Sequence, residues 1–159
     1  MSEASFRLAA VTLDEHTVVR RTREIEHERE IALYDLLESN SFRPVGSPGG
    51  PYNLVLGIEE NRLIFDIRSA LDEPLRKVML SLTAFRRIVK DYFLICESYF
   101  KAIGGSQTPY QIEALDMGRR GLHDEGATLL RDHLKGKVEM DFDTARRLFT
   151  LICVLHLKG

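Results

Sequence analysis

Asp116, Arg119, Arg120 and His123 fall at i, i+3, i+4 and i+7. That spacing brings side chains to one face of an α-helix. A carboxylate that pairs an arginine beside an imidazole can set up general acid–base chemistry. The imidazole is then the group expected to titrate near neutral pH. Asp124, four residues after Arg120, extends the row. The same spacing also fits a plain i,i+4 ion-pair ladder that carries a surface histidine, or a buried polar junction between two helices. The catalytic candidates are Asp116, Arg120 and His123. The binding candidates are Arg119, Arg120, His123, Asp124, Arg146 and Arg147, with Asp141 or Asp143 able to join them.

Arginine comes in pairs at Arg20-Arg21, Arg86-Arg87, Arg119-Arg120 and Arg146-Arg147. Guanidinium matches phosphate oxygens in a two-pronged fashion, so converging pairs could hold phosphate or an RNA backbone. Acids lie close to most of them (Glu24, Asp91, Asp116, Asp124, Asp143), which makes mutual neutralisation the default. The interleaved aromatics of a single-strand reader are missing.

Other chemistries find little support. No Cys-x-x-Cys or His-Glu-x-x-His pattern occurs, and arginines interleave with the would-be ligands, so neither a metal nor a cofactor is expected. The loop Gly46-Ser47-Pro48-Gly49-Gly50-Pro51 leads into a strand, not into a helix, and its prolines remove donor N–H groups. It is therefore a poor phosphate cradle. No Gly-x-Ser-x-Gly elbow is present. Cys96 and Cys153 both sit in apolar helical patterns and read as buried thiols; a reactive Cys153 is the lesser reading.

The elements that must position these residues follow from periodicity. Phe6 to Leu13 reads as a strand. A helix is expected over 23–39, with Thr22 as its cap and Ile25, Ala32, Leu33, Leu36 and Leu37 on its apolar face. Tyr52, Leu54, Leu56 and Ile58 alternate, as do Leu63, Phe65 and Ile67; the turn Glu59-Glu60-Asn61-Arg62 between them predicts a hairpin. A third run, Leu75 to Leu82, completes a meander over 52–82. Helices are expected over 84–103, capped by Thr83, over 109–135 and over 142–156. Thr108-Pro109-Tyr110-Gln111 forms a capping box with proline at the first helical position, and Gly136 is the stop. The run from Tyr92 to Cys96 is apolar on every side, which points to the 84–103 helix as the central buried one. Gly118, Gly121 and Gly126 each cost about 1 kcal/mol within a helix, so a close neighbour is expected to need the missing side chains.

The fold class is therefore α+β in one domain over 1–159: a small antiparallel sheet of three to four strands, an N-terminal helix and a C-terminal three-helix unit. Segregated strands and helices argue against a doubly wound nucleotide-binding sheet. The 159 residues carry 22 Lys+Arg against 24 Asp+Glu, a net charge of −2, with 44% hydrophobic and 29% charged residues. That is globular composition without a basic field for nucleic acid or membrane. No secretory signal or membrane span is read, so the expected setting is cytoplasmic.

Four stretches carry a resemblance: Gly50-Pro51-Tyr52, the run from Lys90 to Tyr99, the run from Met117 to Gly126, and the run from Asp141 to His156. Across nearly the whole chain the sequence resembles the bacterial uncharacterised protein family (UPF) 0262. The resemblance implies a bacterial cytosolic setting and brings no activity with it. The reading that follows is a small non-catalytic interaction or regulatory protein acting through a Gly/Arg/acid-rich helical face. It expects a protein partner or a second copy, since the last helix is apolar enough to cover one. The alternatives are an enzyme or small-anion binder using Asp116, Arg119, Arg120 and His123, and an RNA-contacting factor using the paired arginines.

Overall fold

A computed structural model describes residues 6–14 and 23–155. The Thr22 cap, the Arg20-Arg21 pair and His156 lie outside the described residues. Four helices and six strands alternate loosely along the chain in an α+β arrangement: β1 (Leu8–Asp14), α1 (Arg23–Glu38), β2 (Phe42–Pro44), β3 (Tyr52–Glu59), β4 (Arg62–Ser69), β5 (Pro74–Ser81), a 3-10 turn (Leu82–Phe85), α2 (Arg86–Ile103), α3 (Pro109–Leu134), β6 (Val138–Met140) and α4 (Phe142–Leu155).

The meander forms as its alternation dictates. Leu54 pairs with Ile67, Leu56 with Phe65 and Ile58 with Leu63 in antiparallel register. Glu60 and Asn61 take φ of 50° and 63°, the left-handed pair that a two-residue hairpin turn requires. Two features differ from an all-antiparallel sheet. First, β1 joins the edge in parallel with β3, Val11 opposite Leu54 and Leu13 opposite Leu56, giving the order β1-β3-β4-β5. A parallel pair needs a crossover, and α1 lies within that connection. Asn40 secures it: its Oδ1 accepts from Leu8 N at 2.7 Å, and its Nδ2 donates to Leu36 O at 2.8 Å and Leu8 O at 3.1 Å. Second, β2 and β6 form a separate antiparallel ribbon, Phe42 opposite Met140. Three-residue strands show too few alternations to be read from sequence. Arg76 of β5 fastens the ribbon, donating from Nη1 to Val45 O at 2.7 Å and Lys137 O at 3.2 Å.

The central buried helix is α4, not α2. From Leu148 through Leu155 every residue of α4 is buried, as are Thr144 and Ala145. Its apolar surface is thus spent on this chain's own core rather than on a partner. In α2, Tyr92 and Cys96 are buried but Leu94 is exposed. Thr83 does not cap α2; it lies inside the 3-10 turn, which Ser81 caps by accepting from Thr83 N at 3.2 Å. The capping box at α3 forms as expected, Thr108 Oγ1 accepting from Gln111 N at 3.2 Å and Gln111 Oε1 from Thr108 N at 3.0 Å. Gly136, at φ +83°, turns the chain out of α3. One hydrophobic cluster runs from Leu8 through Leu155. Among the described residues no helix is long and apolar enough to cross a membrane.

The helix glycines divide. A Cβ at Gly118 would meet Ile95 Cδ1 at 2.5 Å, and one at Gly126 would meet the Phe149 ring at 2.5 Å, whereas nothing lies within 4 Å of one at Gly121. Helix α3 runs through all three without a break. Gly126→Ala forces the buried Phe149 ring out of place and is expected to destabilise by about 1–3 kcal/mol. Gly121→Ala is expected to stabilise by up to about 1 kcal/mol. Chemical denaturation midpoints of the two variants check both signs.

Candidate functional site

The capping box fixes where α3 begins, and the glycines at 118 and 126 let Ile95 of α2 and Phe149 of α4 press against it. The inner face of α3 thereby meets α1 and α4. Between the three helices lies a cleft of about 340 Å³, lined by Glu28, Ile31, Ala32 and Asp35 of α1, Arg119, Arg120 and His123 of α3, and Arg146, Arg147 and Thr150 of α4. The arginine pairs of two helices thus converge on the histidine.

Arg119 holds the floor of the cleft. Its Nη1 donates to Glu28 Oε1 at 2.6 Å and its Nη2 to Asp116 Oδ1 at 2.9 Å. Its guanidinium carbon sits 4.7 Å from the centre of the Tyr99 ring, within cation–π range. The Tyr92 hydroxyl donates to the same Glu28 oxygen at 3.4 Å. Asp116 accepts from Arg120 as well. Asp116 therefore does not line the cleft as a free base: it lies behind, shared by two arginines. The hydrogen bond from Arg119, then that from Arg120, holds its carboxyl below the usual range against the opposing effect of burial.

His123 packs against Tyr92 with ring centres 4.9 Å apart. Its Nε2 is buried and has no hydrogen-bond partner. Burial first, then the positive charges of Arg146 and Arg119, push its pKa down to about 4, against a small upward pull from Asp116. The sequence expectation of a group titrating near neutrality is corrected here: at neutral pH the imidazole is uncharged, because a second positive charge beside two guanidiniums in a half-dry wall is unfavourable.

The remaining candidates separate. Asp124 does not pair with Arg120; it reaches across to Arg146 of α4, Oδ1 lying 3.2 Å from Nε. Asp141 accepts from Thr144 N at 2.9 Å and serves the start of α4, and neither it nor Asp143 lines the cleft. Among the described residues Arg147 reaches the carbonyl of Ser39, at 3.4 Å, and no carboxylate. Glu28, Asp35 and Thr150 were not anticipated from sequence. Glu28, Ala32 and Asp35 follow one another at i, i+4 and i+7 on α1, a signal of one face that the strong acidic run around them hides. Elsewhere, Arg87 pairs with Asp91 at 3.1 Å and Glu125 at 3.0 Å, and Arg86 donates to Asn61. Among the described pairs, acids thus meet Arg87, Arg119, Arg120 and Arg146, while Arg86 and Arg147 meet neutral acceptors. Both thiols are buried, and burial pushes Cys96 up to about 11 and Cys153 well above the usual range, which disfavours a thiolate nucleophile. Among the described residues no group of three or more His, Cys, Asp or Glu is placed to hold a metal ion.

Two outcomes follow. Unfolding exposes His123, whose ordinary pKa is about 6.5. The unfolded chain then binds more protons than the folded one between pH 6.5 and about 4. Stability is therefore complete above about pH 6.5 and falls as pH drops toward 4, by up to about 3 kcal/mol. Denaturation series at several pH values check this, with His123→Asn flattening the slope in that window. Arg119→Met removes the cation from Glu28, which keeps only the Tyr92 hydroxyl, and one of the two arginines from Asp116; their side chains are only 14% and 17% exposed. It is expected to cost about 3 kcal/mol, read as a shift in the denaturation midpoint.

The chain matches the model of the Uncharacterised protein family (UPF0262) over residues 5–158. It is 64% identical over 152 residues to a UPF0262 protein of Rhodospirillum rubrum, covering 96% of this chain and 93% of that one. It is 62% identical over 155 residues to a UPF0262 protein of Azorhizobium caulinodans, covering 96% and 95%. With a UPF0262 protein of Rhizobium leguminosarum bv. trifolii it shares 55% identity over 159 residues, the full length of both. No solved structure matches. With its cleft-forming helices all inside the matched span, the chain belongs to the bacterial UPF0262 family.

Proposed function

We propose that the cleft between α1, α3 and α4 binds a small anionic ligand, a phosphate- or carboxylate-bearing molecule. The observation that carries this is the convergence of Arg119, Arg120, Arg146 and Arg147, from two helices, on one cleft beside an uncharged His123. Its volume of about 340 Å³ falls at the small end of ligand sites. Arg119 is committed to Glu28 and Asp116 and acts as scaffold. Arg147, held among the described residues by a carbonyl, and Arg120, with a side chain 67% exposed, have donors to spare for an anion. Asp35 and Glu28 on the opposite wall suit a ligand that also carries a hydroxyl or amino group. Binding and positioning are what the residues support; with Asp116 held by two arginines, a proton-transfer role falls to His123 alone, acting as a neutral base.

A second reading is a non-catalytic interaction or regulatory protein working through α3. It is supported by the opposite side of the same helix, where Tyr110 and Met117 are 83% and 63% exposed.

The cleft reading is tested by amide chemical-shift titration with inorganic phosphate, pyrophosphate and a small dicarboxylate. Shifts clustered at 119–123 and 146–150 are expected for at least one. Arg147→Ala and Arg120→Ala should each weaken that binding at least about tenfold, about 1.4 kcal/mol, without lowering the ligand-free melting temperature. No clustered shift at millimolar ligand overturns the reading.

A further inference from the structure

We propose that the outer side of α3 pairs antiparallel with α3 of a second copy of this chain, the tyrosine at 110 of each copy seating over the glycine at 121 of the other. This rests on the interaction reading of α3 and shares only Arg120 with the cleft. The starting point is the glycine this chain does not explain. Gly118 and Gly126 make room for Ile95 and Phe149, but Gly121 faces open space. A mid-helix glycine is unfavourable relative to alanine, and none of the described residues packs into the space it leaves.

Gly121 stands in a row with Tyr110, Ala114 and Met117, at steps of four, three and four, and all four residues are exposed. That is the seam spacing of paired helices. Self-pairing is singled out by complementarity. When Ala114 lies opposite Met117 of the partner subunit, the same register sets Tyr110 opposite the partner's Gly121, and the reverse holds by two-fold symmetry. Each layer then matches a large side chain with a small one. The positions flanking the seam on one side are Glu113 and Arg120, and in this register Glu113 faces the partner's Arg120, twice over. Arg120 already donates to Asp116, yet remains exposed enough to reach a second carboxylate. A parallel pair would instead set Asp124 against the partner's Asp124 and leave the glycines facing each other across a void.

Sedimentation velocity of the full chain over a concentration series is the test. A reversible monomer–dimer equilibrium is expected. Gly121→Leu, which fits the monomer because nothing occupies that space, should weaken it at least about tenfold. Glu113→Arg should weaken it as well, and Glu113→Arg combined with Arg120→Glu should restore it. Ala114→Cys combined with Met117→Cys, positions that face each other across the pair in this register, should form intermolecular disulfides under mild oxidation, since Cys96 and Cys153 are buried. A wild-type chain that stays monomeric up to about millimolar concentration overturns the proposal. So does a dimer indifferent to Gly121→Leu, which would use another surface. A photo-cross-linker at position 117 separates the two failures in a monomeric result: capture of a different protein overturns self-pairing while leaving the interaction reading in place, and capture of nothing removes both.

Discussion

A single guanidinium joins three helices. Arg119 projects from α3, donates to Glu28 of α1 and to Asp116 of its own helix, and lies over Tyr99 of α2. A charge this enclosed is tolerated only when its donors are met by carboxylates. The relative placement of α1, α2 and α3 is therefore tied to whether those acceptors are in reach. Much else follows. Tyr92 leans on the same Glu28 oxygen, His123 packs on Tyr92, and the positive charge of Arg119 helps keep that imidazole neutral. The cleft is thus a by-product of a structural ion network, and its chemistry is set by what that network leaves unsatisfied.

Helix α3 works on two sides. Its inner side sets Arg119 and His123 beside buried Ala127, Leu130 and Leu134, and glycine at 118 and 126 leaves room for Ile95 and Phe149. Its outer side exposes Tyr110 and Met117 among charged residues. Arg120 stands between the two, lining the cleft while its side chain remains mostly exposed.

What could be read from residues alone was governed by local physics. The meander, the capping box at Thr108, the stop at Gly136 and the face shared by Arg119, Arg120 and His123 all depend on spacing within one element, and each was legible. What was not legible depends on partners far along the chain. The parallel seat of β1 beside β3 and the ribbon of β2 with β6 have no periodic signature of their own. The choice of α4 over α2 as the buried helix turned on which apolar surface met the most neighbours, and both helices carry such surface. Asp124 was assigned to Arg120 by the i,i+4 rule but found Arg146 across the helix boundary. His123 was taken at its free-solution acidity because its enclosure by Tyr92 and the α4 arginines is tertiary. Glu28 and Asp35, the acidic wall, lie roughly ninety residues upstream of the basic one, a distance no local rule spans.

The place of α4 has a consequence for how the chain is made. Its strand-forming prelude β6 pairs with β2, near the other end of the sequence, and its side chains fill the middle of the hydrophobic cluster. A ribosome delivers the sheet and α1 first and the plug for their apolar faces last. At typical elongation rates the interval between β2 and β6 is on the order of ten seconds. Until α4 emerges, the apolar faces it buries lack that cover.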